Sequence, residues 1–498
     1  MKKSHTSLRM YLGMMKPAVF FYSILLTFTA PLFGSVKPNI LWVYVEDLSP
    51  WFDCYGDKVN TGKTPVTTQM AKEGALFTGC YMPSPTCSTT RSALITGTHQ
   101  GTFGLHNHRS SRTEESAIYL PDHVKTLPEL FQQAGYETFN FGKDDYNFSY
   151  TRRDLYTVGG KTANKFGKFG QSSHGLRAWR DVPKGKPWFG QIQLHGGKGA
   201  GHKIKDRVTD QEVSLPPYFP NEPIFIKEWS AHYNCVRKTD IELGEILENL
   251  KQDGLLENTI VFFFSDHGSN RSLRHKQFCY EGGLHVPLII RGKGVLKGTR
   301  TDLVSGLDIS ATSLSMAGIP IADYMQGGDL FSEDYQIKDH IVSARDRCDY
   351  TVDQIRTVRT VRYRYLKNGK LDRPLLQPQY RDPRPPTMRL RELHKKGKLD
   401  EVVERAFFGA RPAEELYDLE KDPHQIHNLA QDPEFAEILE THRQFLKNWI
   451  KETGDKGQHA ESKESLKACL DRSAYAFFTE RNFQPNHIYE YITPAGFL

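Results

Sequence analysis

A cysteine followed four positions later by an arginine, at the start of an apolar run, is an arrangement that can do chemistry. In Cys87-Ser88-Thr89-Thr90-Arg91-Ser92-Ala93-Leu94-Ile95-Thr96-Gly97 a loop marked by Pro83 and Pro85 gives way to a segment of helical character. A thiol at a helix start feels the positive end of the macrodipole and meets free backbone N–H donors. Arg91 falls one turn further on the same face, so the two side chains can address one anion. Other reactive clusters stand at the ends of apolar runs. Asn39–Val45 ends in Glu46-Asp47, and Asn258–Phe264 ends in Ser265-Asp266-His267-Gly268. Tyr136–Phe141 runs into Gly142-Lys143-Asp144-Asp145, and Trp188–Leu194 into His195-Gly196-Gly197-Lys198. Adjacent carboxylates repel, and a hard cation such as calcium relieves that repulsion through oxygen ligands.

The elements that must position these groups follow from the same runs. Continuous β-rich apolar segments suit strands buried on both faces, and the carboxyl ends of such strands are where α/β sheets hold ligands. Ala75–Tyr81 reads as the strand feeding the Cys87 loop, and Val286–Ile290 as a further strand. Helical patterns cover Pro65–Gly74, Leu127–Gly135, Trp229–Leu250 and Asp308–Gly318. Near residue 340 the character changes, and Ile341–Ala344 and Val358–Tyr365 suit a small antiparallel sheet. The charged stretch 380–405 reads as a surface excursion, and 146–187 as a long insertion over the site. Thr98–Arg109 gathers His99, His106, His108 and Arg109 in a glycine-containing segment, which favours a site loop over a core element. No internal repeat is present.

The spacing Cys-x-x-x-Arg followed by Leu-Ile-Thr-Gly resembles the signature of the sulfatases, with at least five motifs in that family's order between about residues 38 and 445. The resemblance implies an alkaline phosphatase-like α/β fold: a large mixed β-sheet sandwiched by helices, with a small carboxy-terminal α+β subdomain carrying an antiparallel sheet. It implies a catalytic domain at 36–340 and a subdomain and tail at 341–498. It further implies that Cys87 is oxidised to formylglycine by a formylglycine-generating or sulfatase-maturating enzyme, the aldehyde hydrate being the nucleophile. Family members carry proline or alanine where this chain has Thr89, a position those enzymes read. One calcium ion is implied on Glu46, Asp47, Asp266, His267 and the modified Cys87; Glu46 stands where the family has aspartate. Lys143, Lys276 and Arg91 take the sulfate-neutralising roles, and Asp145 stands where the family has histidine. His195, shortly after its strand and protonatable near neutral pH, is the implied general acid, with His275 second. The His-rich run resembles a polysaccharide-acting branch that includes the N-sulfoglucosamine sulfohydrolases, where His106, His108 and Arg109 contact anionic sugar. Arg345, Arg347 and Arg356 are candidates to reach a polyanion from the carboxy-terminal side.

Residues 1–35 read as an export signal: a basic start (Lys2, Lys3, Arg9, Lys16), the apolar core Ala18–Ala30, and small residues at Gly34-Ser35. Its removal takes the net charge from +6 to about +2, so the basic balance gives no reason to expect nucleic acid. The expectation is a periplasmic or secreted enzyme with no stable membrane span after cleavage. Seven cysteines, at 54, 80, 87, 235, 279, 348 and 469, show neither a compact disulfide framework nor a zinc spacing. The leading function is therefore hydrolysis of sulfate esters on a sulfated polysaccharide, such as algal ulvan or a glycosaminoglycan. The alternatives are an N-sulfoglucosamine sulfamidase, a phosphohydrolase of the same superfamily, and a non-catalytic carbohydrate-binding protein motivated by Thr89 and Asp145.

Overall fold

The computed structural model describes residues 37–469, apart from 112, 160–173, 200, 350, 463 and 468. The export signal read at 1–35 lies outside the described residues, as does the middle of the 146–187 stretch. The apolar runs become β1 (Asn39–Val45), β2 (Ala75–Tyr81), β3 (Glu137–Phe141), β4 (Trp188–Leu194), β5 (Thr259–Ser265), β6 (Leu288–Arg291) and β7 (Gly298–Ser305). They form one sheet in the order β3-β4-β1-β5-β6-β2-β7. β6 runs against β5 and β2, while the remaining neighbours are parallel. The carboxyl ends of β1, β2, β3, β4 and β5 therefore share one edge, and the clusters read from the sequence all follow those five ends.

Helices cover both faces, as a sheet of fully buried strands requires. They are α1 (Pro65–Glu73), α2 (Cys87–Thr96), α3 (Leu127–Gln133), α4 (Arg152–Leu155), α5 (Pro223–Gln252), α6 (Glu281–Leu284) and α7 (Gly306–Met316). Ile40, Trp42 and Tyr44 of β1 pack with Leu94 and Ile95 of α2 and Ile309 and Leu314 of α7. The alternate residues Leu41, Val43 and Val45 pack with Met70 of α1 and Leu243, Ile246 and Leu250 of α5.

The second sheet is antiparallel, in the order β11-β10-β9-β8. Its strands are β8 (His340–Arg345), β9 (Ile355–Thr360), β10 (Tyr363–Asn368) and β11 (Glu414–Asp418). The single strand expected at 358–365 is a hairpin, turned where the Thr360 hydroxyl accepts from the Tyr363 N–H at 3.2 Å. Two further readings are corrected. The charged stretch 380–405 holds α8 (Pro385–Lys395) and the start of α9 (Glu401–Phe407), which bury Leu390, Leu393, Val403 and Phe407 beneath an outer charged face. The first part of 146–187 is core, since Tyr146, Phe148 and Tyr156 are buried among sheet and helix side chains. α10 (Ala436–Thr453) closes the small sheet through Leu439, Leu446 and Trp449. Among the described residues no helix is long and apolar enough to cross a membrane, and no disulfide joins any two cysteines.

Candidate active site at the carboxyl edge of the sheet

Cys87 is the first residue of α2, a helix buried at all ten positions. The preceding Thr86 is extended, and the Thr89 hydroxyl donates to Ser84 Oγ at 2.7 Å, tying the entry loop to the first turn. The Cys87 Sγ lies 3.1 Å from His267 Nε2 and accepts from Lys276 Nζ at 3.1 Å. Lys276 also donates to Asp47 Oδ1 at 2.8 Å. Burial alone raises the thiol, but Lys143, Lys276, His267 and Lys198 outweigh it and bring Cys87 down to about 6.

Asp47, Cys87, Asp266 and His267 each offer a ligand atom within 4.8 Å of the others. The strand register makes this possible: Val45 pairs with Ser265, so the next residues of β1 and β5 leave the sheet side by side. The Asp47 N–H donates to Asp266 Oδ1 at 3.0 Å. His267 Nδ1 lies 2.9 Å from the Gly268 carbonyl; an N–H donated there leaves Nε2 as the free lone pair facing the cluster. Asp47 Oδ2 is buried and accepts no hydrogen bond among the described residues. An unsatisfied carboxylate oxygen, a second carboxylate and an oriented imidazole fit a divalent cation.

Around this cluster the cations are shared. Lys143 donates to Glu46 Oε1 at 2.7 Å and lies 3.1 Å from Asp145 Oδ2. Arg91 donates to Asp266 Oδ2 at 2.9 Å and to the Lys143 carbonyl at 2.8 Å, with its guanidinium 4.6 Å from the Tyr44 ring centroid. Asp47, Arg109, Asp145, Gln277 and Asp349 are five of the six non-glycine residues with positive φ among those described. Left-handed backbone outside glycine is costly and gathers where surrounding contacts over-determine it, as at functional sites.

The Sulfatase family model matches residues 38–319, which contain Cys87, the acidic cluster and the cations around it. The chain is 31% identical over 465 residues to an ulvan-active sulfatase of Formosa agariphila, covering 86% of this chain and 77% of that protein. The chain belongs to the sulfatase family. It is 26% identical over 454 residues to the N-sulphoglucosamine sulphohydrolase of Homo sapiens, covering 79% of this chain and 86% of that one. In fold it is similar to a 2-O GAG sulfatase, with a TM-score of 0.61 and 21% identity over 86% of this chain and 96% of that one. The protein is thus a sulfuric ester hydrolase of alkaline phosphatase-like fold.

In this sulfatase the Arg91 guanidinium turns to the carboxylates and to Tyr44, where it is buried. Glu46 is not part of the four-residue cluster. Its longer side chain carries the carboxylate to Lys143 and to Lys198, whose Nζ is 2.9 Å from Oε2. Lys198 had no expected role, although it stands in the quoted run after β4. The glycine pair ahead of it was the signal. A Cβ at Gly196 would lie 2.3 Å from the Glu46 carbonyl oxygen, and one at Gly197 2.2 Å from that of Asp47. Only glycines let this turn lie against the two acidic residues and bring Lys198 to them. His195, on the same turn, is exposed.

His275 is enclosed by Trp51, Trp229 and Gly282, and burial with Arg274 and Arg381 takes it down to about 3. His106 and His108 are buried; burial brings His106 down to about 4, and His108 Nδ1 sits 3.2 Å from Asp349 Oδ1. Arg109 keeps 39% of its side chain exposed while its guanidinium grips Asp145 at 3.0 and 3.3 Å. Arg345, Arg347 and Arg356 are buried, not presented to a polyanion. They pair with Asp353 at 3.4 Å, Glu461 at 2.6 Å and Asp455 at 2.7 Å. A buried arginine needs a carboxylate nearby, and each of the three has one, Arg345 sharing Asp353 with Arg411.

Proposed function

We propose that this sulfatase is exported and hydrolyses sulfate esters on an anionic polysaccharide or its oligosaccharides, using a calcium ion and formylglycine made from Cys87. The observation that carries the reading is the placement of Cys87 at a helix start between Lys276 and His267, against Asp47 and Asp266. The name of the Formosa agariphila relative, an ulvan-active sulfatase, supports a polysaccharide substrate. The human relative, an N-sulphoglucosamine sulphohydrolase, keeps N-sulfate as the second reading.

Asp47, Asp266 and His267 would hold the calcium ion, with the modified Cys87 completing the set. When bound, it supplies positive charge that polarises the sulfate, and the hydrated aldehyde supplies the nucleophilic oxygen. The remaining work falls to this chain's own residues. Lys276 and Lys143, held by Asp47 and by Glu46 and Asp145, present preorganised cations to the sulfate and to the charge that develops during transfer. Arg91 fixes Asp266 and so positions a ligand carboxylate, and it also reaches Glu46 at 3.4 Å. Lys198 adds a further cation at the mouth, where 36% of its side chain is exposed. His195, on the solvent side of the same turn, is the imidazole that can protonate a departing sugar oxygen without entering the cation cluster.

The test is a parallel assay of protein made in a host with a sulfatase-maturing system, after mass analysis of the peptide Glu73–Arg91. Sulfated ulvan and glycosaminoglycan oligosaccharides, N-sulfated glucosamine and phosphate esters are offered side by side. Release of sulfate from O-sulfated saccharides at least a hundredfold faster than from the others is expected, with the aldehyde mass at Cys87. Preference for N-sulfate would transfer the reading to a sulfamidase, and an unmodified, inactive Cys87 in protein from the native host would defeat it.

A further inference from the structure

His108, Cys348 and Asp349 lie far apart in sequence, yet each offers a ligand atom within 4.8 Å of the others. His108 and Cys348 are buried, and 19% of the Asp349 side chain is exposed. We propose that these three side chains bind a zinc-type transition-metal ion at a second site, distinct from the acidic cluster at Asp47 and Asp266.

The donor chemistry selects the ion. An imidazole nitrogen, a sulfur and a single carboxylate suit zinc and its neighbours, whereas calcium and magnesium want oxygen throughout. Zinc–nitrogen and zinc–sulfur bonds in tetrahedral geometry place neighbouring ligand atoms about 3.3–3.7 Å apart. His108 Nδ1 and Asp349 Oδ1 stand 3.2 Å apart already, so adjustments of about 1 Å at the sulfur close the set. Once the thiol has lost its proton, the ligands carry two negative charges and balance a divalent ion. Two of the neighbouring arginines are committed elsewhere, Arg109 to Asp145 and Arg347 to Glu461, while Arg345 stands 3.4 Å from Asp353, a carboxylate it shares with Arg411.

The backbone holds the three ligands in place. His108 N–H donates to the Arg347 carbonyl at 3.0 Å, and Arg347 Nη1 returns a bond to the His108 carbonyl at 3.1 Å. Cys348 and Thr351 exchange two backbone hydrogen bonds of 2.9 Å. Gln277, in a left-handed conformation at φ 76°, donates its side-chain amide to Cys348 Sγ at 3.3 Å. Asp349 is also left-handed, at φ 48°. The ion would fasten the loop carrying Arg109 to the end of the small sheet, next to the residue after Lys276. This proposal does not depend on which ion, if any, the acidic cluster takes.

The experiment uses the full chain as Cys87→Ser, which removes the thiol of the acidic cluster, saturated with calcium and then equilibrated with zinc or cobalt(II) and desalted. One zinc per chain by elemental analysis is expected, together with the near-ultraviolet charge-transfer absorption of a cobalt–thiolate bond. Adding Cys348→Ser should abolish the absorption, and Asp349→Asn should weaken zinc retention at least tenfold. Absence of the absorption in the folded Cys87→Ser protein would overturn the proposal, even if the Cys348 variant failed to fold. So would zinc retained equally by the two variants.

Discussion

His195 and Lys198 share one short turn yet face different tasks, and the difference is testable at the level of single side chains. Lys198 reaches inward to Glu46 at 2.9 Å and to Asp47 at 3.6 Å. His195 remains on the exposed side. A general acid matters in proportion to how badly the leaving group needs a proton. His195→Ala should therefore lower kcat on a sugar sulfate by about 10²–10³ while changing turnover of a nitroaryl sulfate less than about threefold. Equal losses on both substrates would assign His195 to positioning instead. Lys198→Ala should lower kcat/KM on both substrates alike, by about tenfold, because its charge acts on the sulfate and not on the leaving oxygen. In the sequence, strand ends marked Lys143, Asp47, Asp266 and His267, a helix start marked Cys87, and only the family resemblance marked Lys276. The sequence did not reveal that Arg91 would turn to Asp266, nor that His275 would be walled in by Trp51 and Trp229. Those outcomes depend on which rings and carboxylates arrive from distant segments.

The motif Tyr280-Glu281-Gly282-Gly283 shows what the elements do for these residues. A Cβ at Gly282 would stand 2.2 Å from the His275 ring, and one at Gly283 2.0 Å from the Phe278 carbonyl oxygen. The glycines therefore let α6 close down on the loop that carries Lys276. Glu281 ties the same element to the small sheet, accepting from Arg359 at 2.8 Å and Arg364 at 2.6 Å, and to β2 of the large sheet, accepting from the Tyr81 hydroxyl at 2.9 Å. Burial would raise this carboxyl, but Arg364, Arg359 and His285 outweigh it and take it from 4.5 down to about 2. A folded-state pKa below the unfolded one gives stability that is present above about pH 4.5 and lost as pH falls toward 2. Glu281→Gln should thus cost up to about 3 kcal/mol near pH 7, with the difference from wild type shrinking below pH 4.5 in urea titrations. A pH-independent difference would make the loss one of packing. Elements themselves were largely readable: β1, β2 and β4 run where their apolar stretches run. The helices α8 and α9 were hidden because their charged faces dominate the composition of 380–405.

Across the whole molecule the site is held from two sides. The large sheet brings Asp47 and Asp266 together across 219 residues of chain. The small sheet and its approach hold the Lys276 loop, with Arg381 donating to the carbonyls of Asn270, Ser272 and Lys276 at 3.0–3.2 Å. Closing such long loops costs entropy that contacts at the site must offset, so any ion bound there reports directly on global stability. A site filled at about a hundredfold excess over its dissociation constant adds about 2.7 kcal/mol. For a chain of this size that is a rise of about 3 °C in Tm, using the usual unfolding entropy per residue. Calcium should therefore raise the Tm of the wild-type protein by roughly that amount, and chelator should reverse it. In Asp266→Asn the rise should vanish, since one of the two cluster carboxylates is gone and Arg91 loses the negative charge of its 2.9 Å partner. The same ionic strength supplied as sodium chloride separates binding from screening. Lys143, Lys198 and Lys276 already pair with Glu46 and Asp47, so salt alone should weaken those contacts and cannot imitate a bound ion. A calcium-induced rise that survives in Asp266→Asn would place the ion elsewhere and remove Asp266 from its ligands.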